Sequence, residues 1–238
     1  SEYKGIKGFQ VQTRTENPSP TEVQTGDFYY NSTSGQFKTI NTGGAPIGAF
    51  SSGGDLNTSR NSASSAGTQT AMIAMGGETD RTDSEQYNGS SWTSTPSTND
   101  PHYSGTGFGT YTSALIAGGF NPGNTSKNVE LWDGSSWSTA TDMTNRRYTA
   151  SGSPGIVFGG VSAWPTSSGS ANVLVEEWNG SSWTEVGDLN NARFGLAAGI
   201  QSPSSNGIVF GGYISNDSAL AETWNGSSWT ETGDLNTS

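Results

Sequence analysis

Four side chains that could hold an anion or move a proton recur at one interval along this chain. Arg60, His102, Arg147 and Arg193 each stand ten residues after an aromatic residue, namely Phe50, Trp92, Trp137 and Trp183. At equivalent positions they could form a polar ring that binds an anion or a carboxylated sugar. His102 is the only histidine and could act there as a general base. The architectural alternative is that each caps its own repeat by bonding turn carbonyls, a contact that would also recur in every copy. The carboxylates offer a second set: Glu78, Asp80, Asp83 and Glu85 cluster, and Glu176, Glu177 and Glu222 occupy equivalent stretches. A glycosidase needs two acids of divergent pKa facing one cleft, and the spacing does not place them so. These acids read as solvated loop or strand-edge charges. One histidine cannot build a His-rich metal site, and the chain has no cysteine. Disulfides, thiol catalysis and thiolate metal sites are excluded, and no catalytic residue, metal or cofactor is assigned.

The elements that must position these residues are written in a repeat. Asn88-Gly89-Ser90-Ser91-Trp92 returns as Asp133–Trp137, Asn179–Trp183 and Asn225–Trp229, with tryptophans 45, 46 and 46 residues apart. Five residues before each tryptophan lies a further aromatic, Tyr87, Trp132, Trp178 or Trp224. Upstream, a short apolar run closes on Gly76-Gly77, Gly118-Gly119, Gly159-Gly160 or Gly211-Gly212. Glycine- and aromatic-rich self-similarity at this period is the mark of propeller blades. Four strands per copy are expected. Small residues such as 63–67 and 197–199 suit an innermost strand, and the apolar run reads as a buried second strand. The Gly-Gly ends it where backbones crowd or φ is positive. The third strand carries the first aromatic, Asn-Gly or Asp-Gly makes a tight hairpin turn, and the fourth strand starts at the second aromatic. The strand sets are expected at about 60–93, 102–138, 147–184 and 193–230, with one extra outer strand near 46–53 that carries Phe50.

This ordered set of double glycine, aromatic and tryptophan resembles the Kelch repeat over roughly residues 46–238. The resemblance implies an all-β, Kelch-like β-propeller of four-stranded antiparallel blades, four full repeats plus a partial one. It makes Tyr87, Trp92, Trp132, Trp137, Trp178, Trp183, Trp224 and Trp229 the structural core of the repeats. Three closures stay open: a partial fifth blade supplied by N-terminal strands, continuation of the array beyond Ser238, or a ring completed between subunits. Galactose-oxidase-like proteins share such blades, but their copper site needs Tyr, His and Cys, and this chain lacks the last.

Composition narrows the partners. Of 238 residues, 13% are charged and 30% hydrophobic, with net charge −11. That acidity opposes binding to a nucleic-acid backbone, which needs a basic face, and opposes anionic membranes. No apolar run is long enough to span a bilayer. The first residues carry no signal-peptide core, so lysis or carriage on a particle is the expected route to the outside. Residues 1–44 read as an N-terminal arm and β-hairpin for attachment or oligomerisation, and 45–238 as the repeats. Within the first part, 1–26 is a polar arm and 27–40 a strand–turn–strand. Such a hairpin before an Asn/Gly/Ser/Thr-rich array resembles segments of bacteriophage tail-fibre and appendage proteins and structural proteins of marine phages.

The departures from the repeat point to recognition. The loops after the Gly-Gly pairs lie on one face and differ in every copy. They carry Phe120, Trp164 (within the insertion at 161–169) and Tyr213, the residues expected to stack on a sugar or a protein. The resulting expectation is a non-enzymatic virion or extracellular protein, a tail fibre, appendage or surface decoration. It would present loops to a host-surface glycan or to other virion proteins, without nucleic acid or membrane insertion, and a homo-oligomer fits the same reading. The rivals are a glycan-binding adhesin of a marine bacterium and a carbohydrate-active enzyme on the same scaffold.

Overall fold

The computed structural model describes residues 12–17, 28–39, 53–78, 81–121, 123–163, 171–201, 206–214 and 216–236. The chain divides into two compact units, 1–53 and 54–238. Residues 46–52 of the expected outer strand near 46–53, with Phe50, lie outside the described residues, as does the expected boundary at 44/45.

In the first unit the expected hairpin forms from Phe28–Asn31 and Gln36–Thr39, in register Tyr30 with Phe37. Its turn is held by Asn31, whose Oδ1 accepts the N–H groups of Thr33 and Ser34. The arm is more than a linker: Gln12–Arg14 adds a third strand parallel to Phe28–Asn31. Asn17 fastens it, its Oδ1 accepting from Tyr29 Oη at 2.8 Å, Asn31 Nδ2 at 3.2 Å and Lys38 Nζ at 3.2 Å. A three-residue polar strand paired at long range leaves no periodicity in the sequence, which is why the arm read as irregular.

The second unit is four successive four-stranded antiparallel sheets. The first sheet comprises Ser64–Thr68, Ala71–Met75, Ser84–Tyr87 and Trp92–Thr95, and the second Thr106–Thr110, Ser113–Ala117, Val129–Trp132 and Trp137–Thr139. The third comprises Ser151–Ser153, Ile156–Phe158, Val175–Trp178 and Trp183–Glu185, and the fourth Ala197–Gln201, Asn206–Phe210, Ala221–Trp224 and Trp229–Thr232. No helix occurs among the described residues. The first strands of consecutive sheets lie side by side. Small residues are needed there: a Cβ on Gly107 would come within 2.9 Å of Ser65 O, and one on Gly152 within 2.3 Å of Thr106 Cγ2. This serial arrangement is consistent with a β-propeller-like fold.

Because side chains alternate across each strand, every sheet has two faces, and the core is built where neighbours meet. Ile73 and Met75 of the first sheet meet Ala114, Ile116, Trp132 and Trp137 of the second. Leu115, Ala117 and Val129 of the second meet Val157 and Trp183 of the third. Ile156, Phe158 and Val175 of the third meet Val209, Trp224 and Trp229 of the fourth. Each repeat therefore presents aliphatic side chains forward and tryptophans backward. The two aromatics of each repeat are cross-strand partners, with ring centroids 5.1–5.4 Å apart. Burying one such ring removes about 150–250 Å² from water, worth roughly 4–6 kcal/mol as an upper figure. The turn between them is common to all copies: the Asn or Asp side-chain oxygen accepts the N–H of the residues two and three further on, and the Gly has φ of +93° to +99°.

Candidate functional site

The recurring basic residues are not a solvent-facing ring. Arg147 is 1% exposed and Arg193 and His102 are fully buried; the Arg60 side chain is 1% exposed. Each is engaged inside its own sheet. Arg147 donates to Glu176 Oε1 at 2.5 Å and to the carbonyls of Gly159 and Leu174. Arg193 repeats this with Glu222 at 2.6 Å, Gly211 and Leu220. Arg60 repeats it with Glu85 at 2.7 Å, Gly76 and Asp83, whose carboxylate it also reaches at 2.7 Å. In the second sheet His102 stands in, Nδ1 toward Gly118 O at 2.7 Å and Nε2 toward Glu130 Oε1 at 3.2 Å. Both partners accept, so the ring satisfies both only with a proton on each nitrogen. The anion-binding ring is thereby corrected. The guanidinium is taken up because an arginine in this crowded place finds an acid and two strand-end carbonyls within reach.

The same clamps correct the reading of the acids. Glu85, Glu176 and Glu222 are buried to 1% exposure or less, not solvated, and Glu130 is their counterpart in the second copy. Each also takes backbone N–H groups from the loop leading into its sheet: Asn57 and Thr58, Asn99 and Asp100, Thr144 and Asn145, and Asn190. For Glu85 and Glu130 burial opposes the charged form. The N–H donors and the facing Arg60 or His102 outweigh it, and both carboxyls are held below the ordinary value of 4.5. The signal was present in the sequence, since a glutamate stands two residues before the first aromatic in every copy. Only alignment of all four copies isolates it from the neighbouring acids.

Above the clamps lies the face formed by the Gly-Gly loops. The residue after each Arg or His pairs with the residue after the Gly-Gly: Tyr103 with Phe120, Tyr148 with Val161, and Phe194 with Tyr213. In the first copy these are Asn61 and Glu78, joined by Glu78 N–H to Asn61 O and by their side chains. The next residues, Ser62, Ser104, Thr149 and Gly195, all have positive φ, between +49° and +63°. They form a backbone ladder across the sheets, Gly195 N–H to Thr149 O, Thr149 N–H to Ser104 O and Ser104 N–H to Ser62 O, at 3.0–3.2 Å. Left-handed backbone at three residues with side chains is uncommon, and no sequence pattern announced it.

The three expected stacking residues separate. Phe120 is half-buried in an aromatic cluster, its ring edge-on to Tyr148 at 6.0 Å, with Tyr103 at 5.5 Å from Tyr148. Its short hairpin with Asn124–Thr125 holds it there. Burial first, then a hydrogen bond with Tyr103, pushes the Tyr148 hydroxyl up to about 12. Tyr213 is 39% exposed, braced at 5.3 Å by Phe194. It borders a recess of about 330 Å³ lined also by Gly195, Gly212, Asp217 and Ser218. A second recess of about 360 Å³ is lined by Ser59, Arg60, Asn61, Glu78 and Arg81. Trp164 lies outside the described residues. Among the described residues no cluster of His, Asp and Glu could hold a metal ion.

No family model matches the chain, and no curated protein matches it. Among solved structures, the one titled "Structure of YjhT" superposes with a TM-score of 0.63 at 11% identity. The match covers 77% of this chain and 68% of that one. At this identity the likeness concerns the fold alone.

Proposed function

We propose that this chain is a Kelch-type β-propeller module that works by binding: a virion structural or receptor-binding protein that offers its Gly-Gly-loop face to a host-surface glycan or a neighbouring virion protein. One contrast carries the reading. The charged groups common to all copies are consumed inside the sheets, whereas Tyr213, in a loop unlike its counterparts, is exposed and rigidly backed beside a recess. A tyrosine ring offers a flat apolar face to sugar C–H groups. Asp217 and Ser218 at the same rim supply an acceptor and a hydroxyl for sugar hydroxyls. The acidity of the chain and the resemblance of its N-terminal hairpin and array to phage appendage proteins supply the virion setting.

The test is a glycan array probed with the 238-residue chain and with Tyr213→Ala, alongside peptide mass spectrometry of purified particles from the source culture. Binding that Tyr213→Ala removes at unchanged stability, with stoichiometric peptides in the particles, is the expected result. Absence of any bound glycan, or binding indifferent to Tyr213, overturns the glycan reading; absence from particles overturns the virion reading.

A further inference from the structure

The turn between the last two strands of each sheet carries an amide in three copies and an acid in one. Asn88, Asn179 and Asn225 stand where the second copy has Asp133, each followed by a glycine and two serines. All four are exposed. Each asparagine Oδ1 accepts three donors at 2.9–3.0 Å, namely the N–H groups of both serines and the hydroxyl of the first. Asp133 Oδ1 accepts the same three at 2.8 Å. The second serine serves either state. Its hydroxyl accepts from Asn179 Nδ2 at 3.0 Å and from Asn225 Nδ2 at 3.3 Å, and in the second copy it donates to Asp133 Oδ2 at 3.1 Å. The turn favours the acid, because hydrogen bonds to an ionised acceptor are the stronger ones. The Ser136 N–H first, then the Ser135 hydroxyl and N–H, bring the Asp133 carboxyl down to about 2.

The same donors sit where charge develops when the amide is attacked. The nucleophile within reach of an asparagine Cγ is the backbone nitrogen of the next residue, here Gly89, Gly180 or Gly226. Glycine sets no side chain against the imide ring that this attack closes. Among the described residues no backbone acceptor takes these three N–H groups. Around Gly180 nothing lies within 4 Å of a Cβ position. Addition at Cγ puts negative charge on Oδ1, and donors already aimed at a developing oxyanion lower the barrier to forming it.

We infer that Asn88, Asn179 and Asn225 are self-modification sites, at which the folded turn converts asparagine to aspartate. The glycine N–H gives its proton to solvent base as its nitrogen bonds to Cγ. The Cγ–Nδ2 bond then breaks, ammonia leaves with a proton from solvent, and a succinimide is closed. Water adds at Cγ and breaks the new Cγ–N bond, which restores the glycine N–H and leaves a carboxylate. One water is consumed and one ammonium released. Water adding at the main-chain carbonyl instead gives isoaspartate, whose extra main-chain methylene moves the carboxylate off its donors, so aspartate is the product the turn retains. Each conversion adds one negative charge to a net of −11, and three bring it to −14. A fourth Asn-Gly pair, Asn206-Gly207, tests whether the turn matters. It lies in the strand Asn206–Phe210, where Gly207 is paired with Ile200 on one side and Trp224 on the other. Pairing keeps the Gly207 N–H in the sheet, while a strand side chain stands out of it.

The experiment is peptide mapping by mass spectrometry of the folded 238-residue chain aged at mildly alkaline pH, beside a sample unfolded in urea. The mass rise that replaces an amide by an acid marks conversion, and an aspartate-specific protease separates aspartate from isoaspartate. In the folded chain Asn88, Asn179 and Asn225 are expected to convert at least about tenfold faster than Asn206, chiefly to aspartate. In urea the four are expected to converge on one rate. Ser181→Ala removes one donor from Asn179 Oδ1 and is expected to slow that site alone by about three- to tenfold. Ser181 is exposed, so the variant retains the fold, checked by far-UV circular dichroism. Asn206 keeping pace with the turns in the folded chain overturns the inference. So does a difference that survives urea, a majority of isoaspartate at the turns, or an Asn179 rate indifferent to Ser181→Ala.

Discussion

The clamp under each Gly-Gly and the loop above it are a few residues apart in sequence, yet they behave in opposite ways. The clamp is the same object four times: an arginine or histidine, a glutamate, a Gly-Gly carbonyl and the N–H groups of the entering loop. The loops differ in every copy, being acid and amide in the first, a packed phenylalanine in the second and an exposed tyrosine in the fourth. The difference teaches where the charge of this molecule is used. The recurring basic and acidic groups solve a problem every sheet has, namely how to end two strands and admit a loop while giving the strand-end carbonyls and loop N–H groups partners in a dry place, at the cost of leaving the Nε of Arg60, Arg147 and Arg193 buried without one. On the proposed reading, recognition falls to positions that packing does not dictate.

The hardest way to break this contrast is to open a clamp. Arg147→Met leaves Glu176 buried without its partner and is expected to cost about 3–5 kcal/mol, whereas Arg147→Met with Glu176→Leu is expected to recover most of that. Urea unfolding midpoints of the two variants check it. A single variant within 1 kcal/mol of wild type would mean that water reaches the pair. His102 sharpens the point: His102→Ala is expected to lose about 3 kcal/mol by the same argument, and His102→Arg to keep the fold, since three sibling sheets already use arginine there. A general base would show the reverse economy, with the arginine variant stable and some glycan turnover abolished in both.

Acid probes the clamps together. The carboxyls of Glu85 and Glu130 are depressed in the fold. The stability they contribute is therefore complete above their unfolded value near 4.5 and is lost as pH falls through the lower folded values. Urea midpoints measured down the pH scale should hold steady to about pH 5 and fall below it, less steeply in Glu130→Gln. A smaller effect belongs to the turns. Gly180 has φ of +99° and open space around its Cβ position, so Gly180→Ala is strained without a clash and is expected to cost about 1–2 kcal/mol. Smallest is Tyr213→Ala, within about 0.5 kcal/mol of wild type in stability as befits an exposed loop, while removing glycan binding. If it instead destabilises as much as an opened clamp, the loop is architecture and the contrast collapses.

Much of the fold was legible because repetition averages out local ambiguity. The four-strand order, the Asn-Gly turn and both aromatic positions could be read from four copies, and the strands fall where expected to within a few residues. The clamp was half legible. The cations were seen because they are rare and regularly spaced, while their glutamates were lost among other acids and taken as solvated. The parallel pairing of Gln12–Arg14 with Phe28–Asn31 was not legible at all, since three polar residues carry no period.

The sequence by itself determined the repeat, its strand content and the set of residues that must be shared by every sheet, because these depend on contacts within one copy or between one copy and the next. Only the tertiary structure decided which charges are buried, which aromatics are packed and which faces are left open. Arg60 and Arg81 are alike in composition, but one is enclosed between two strand ends and the other stands at a rim. Phe120 and Tyr213 follow the same Gly-Gly motif, but the first packs against Tyr148 of the following copy and the second against Phe194 of its own. Burial is a property of what lies across the gap, and for the last sheet nothing in its own forty-odd residues says what that is.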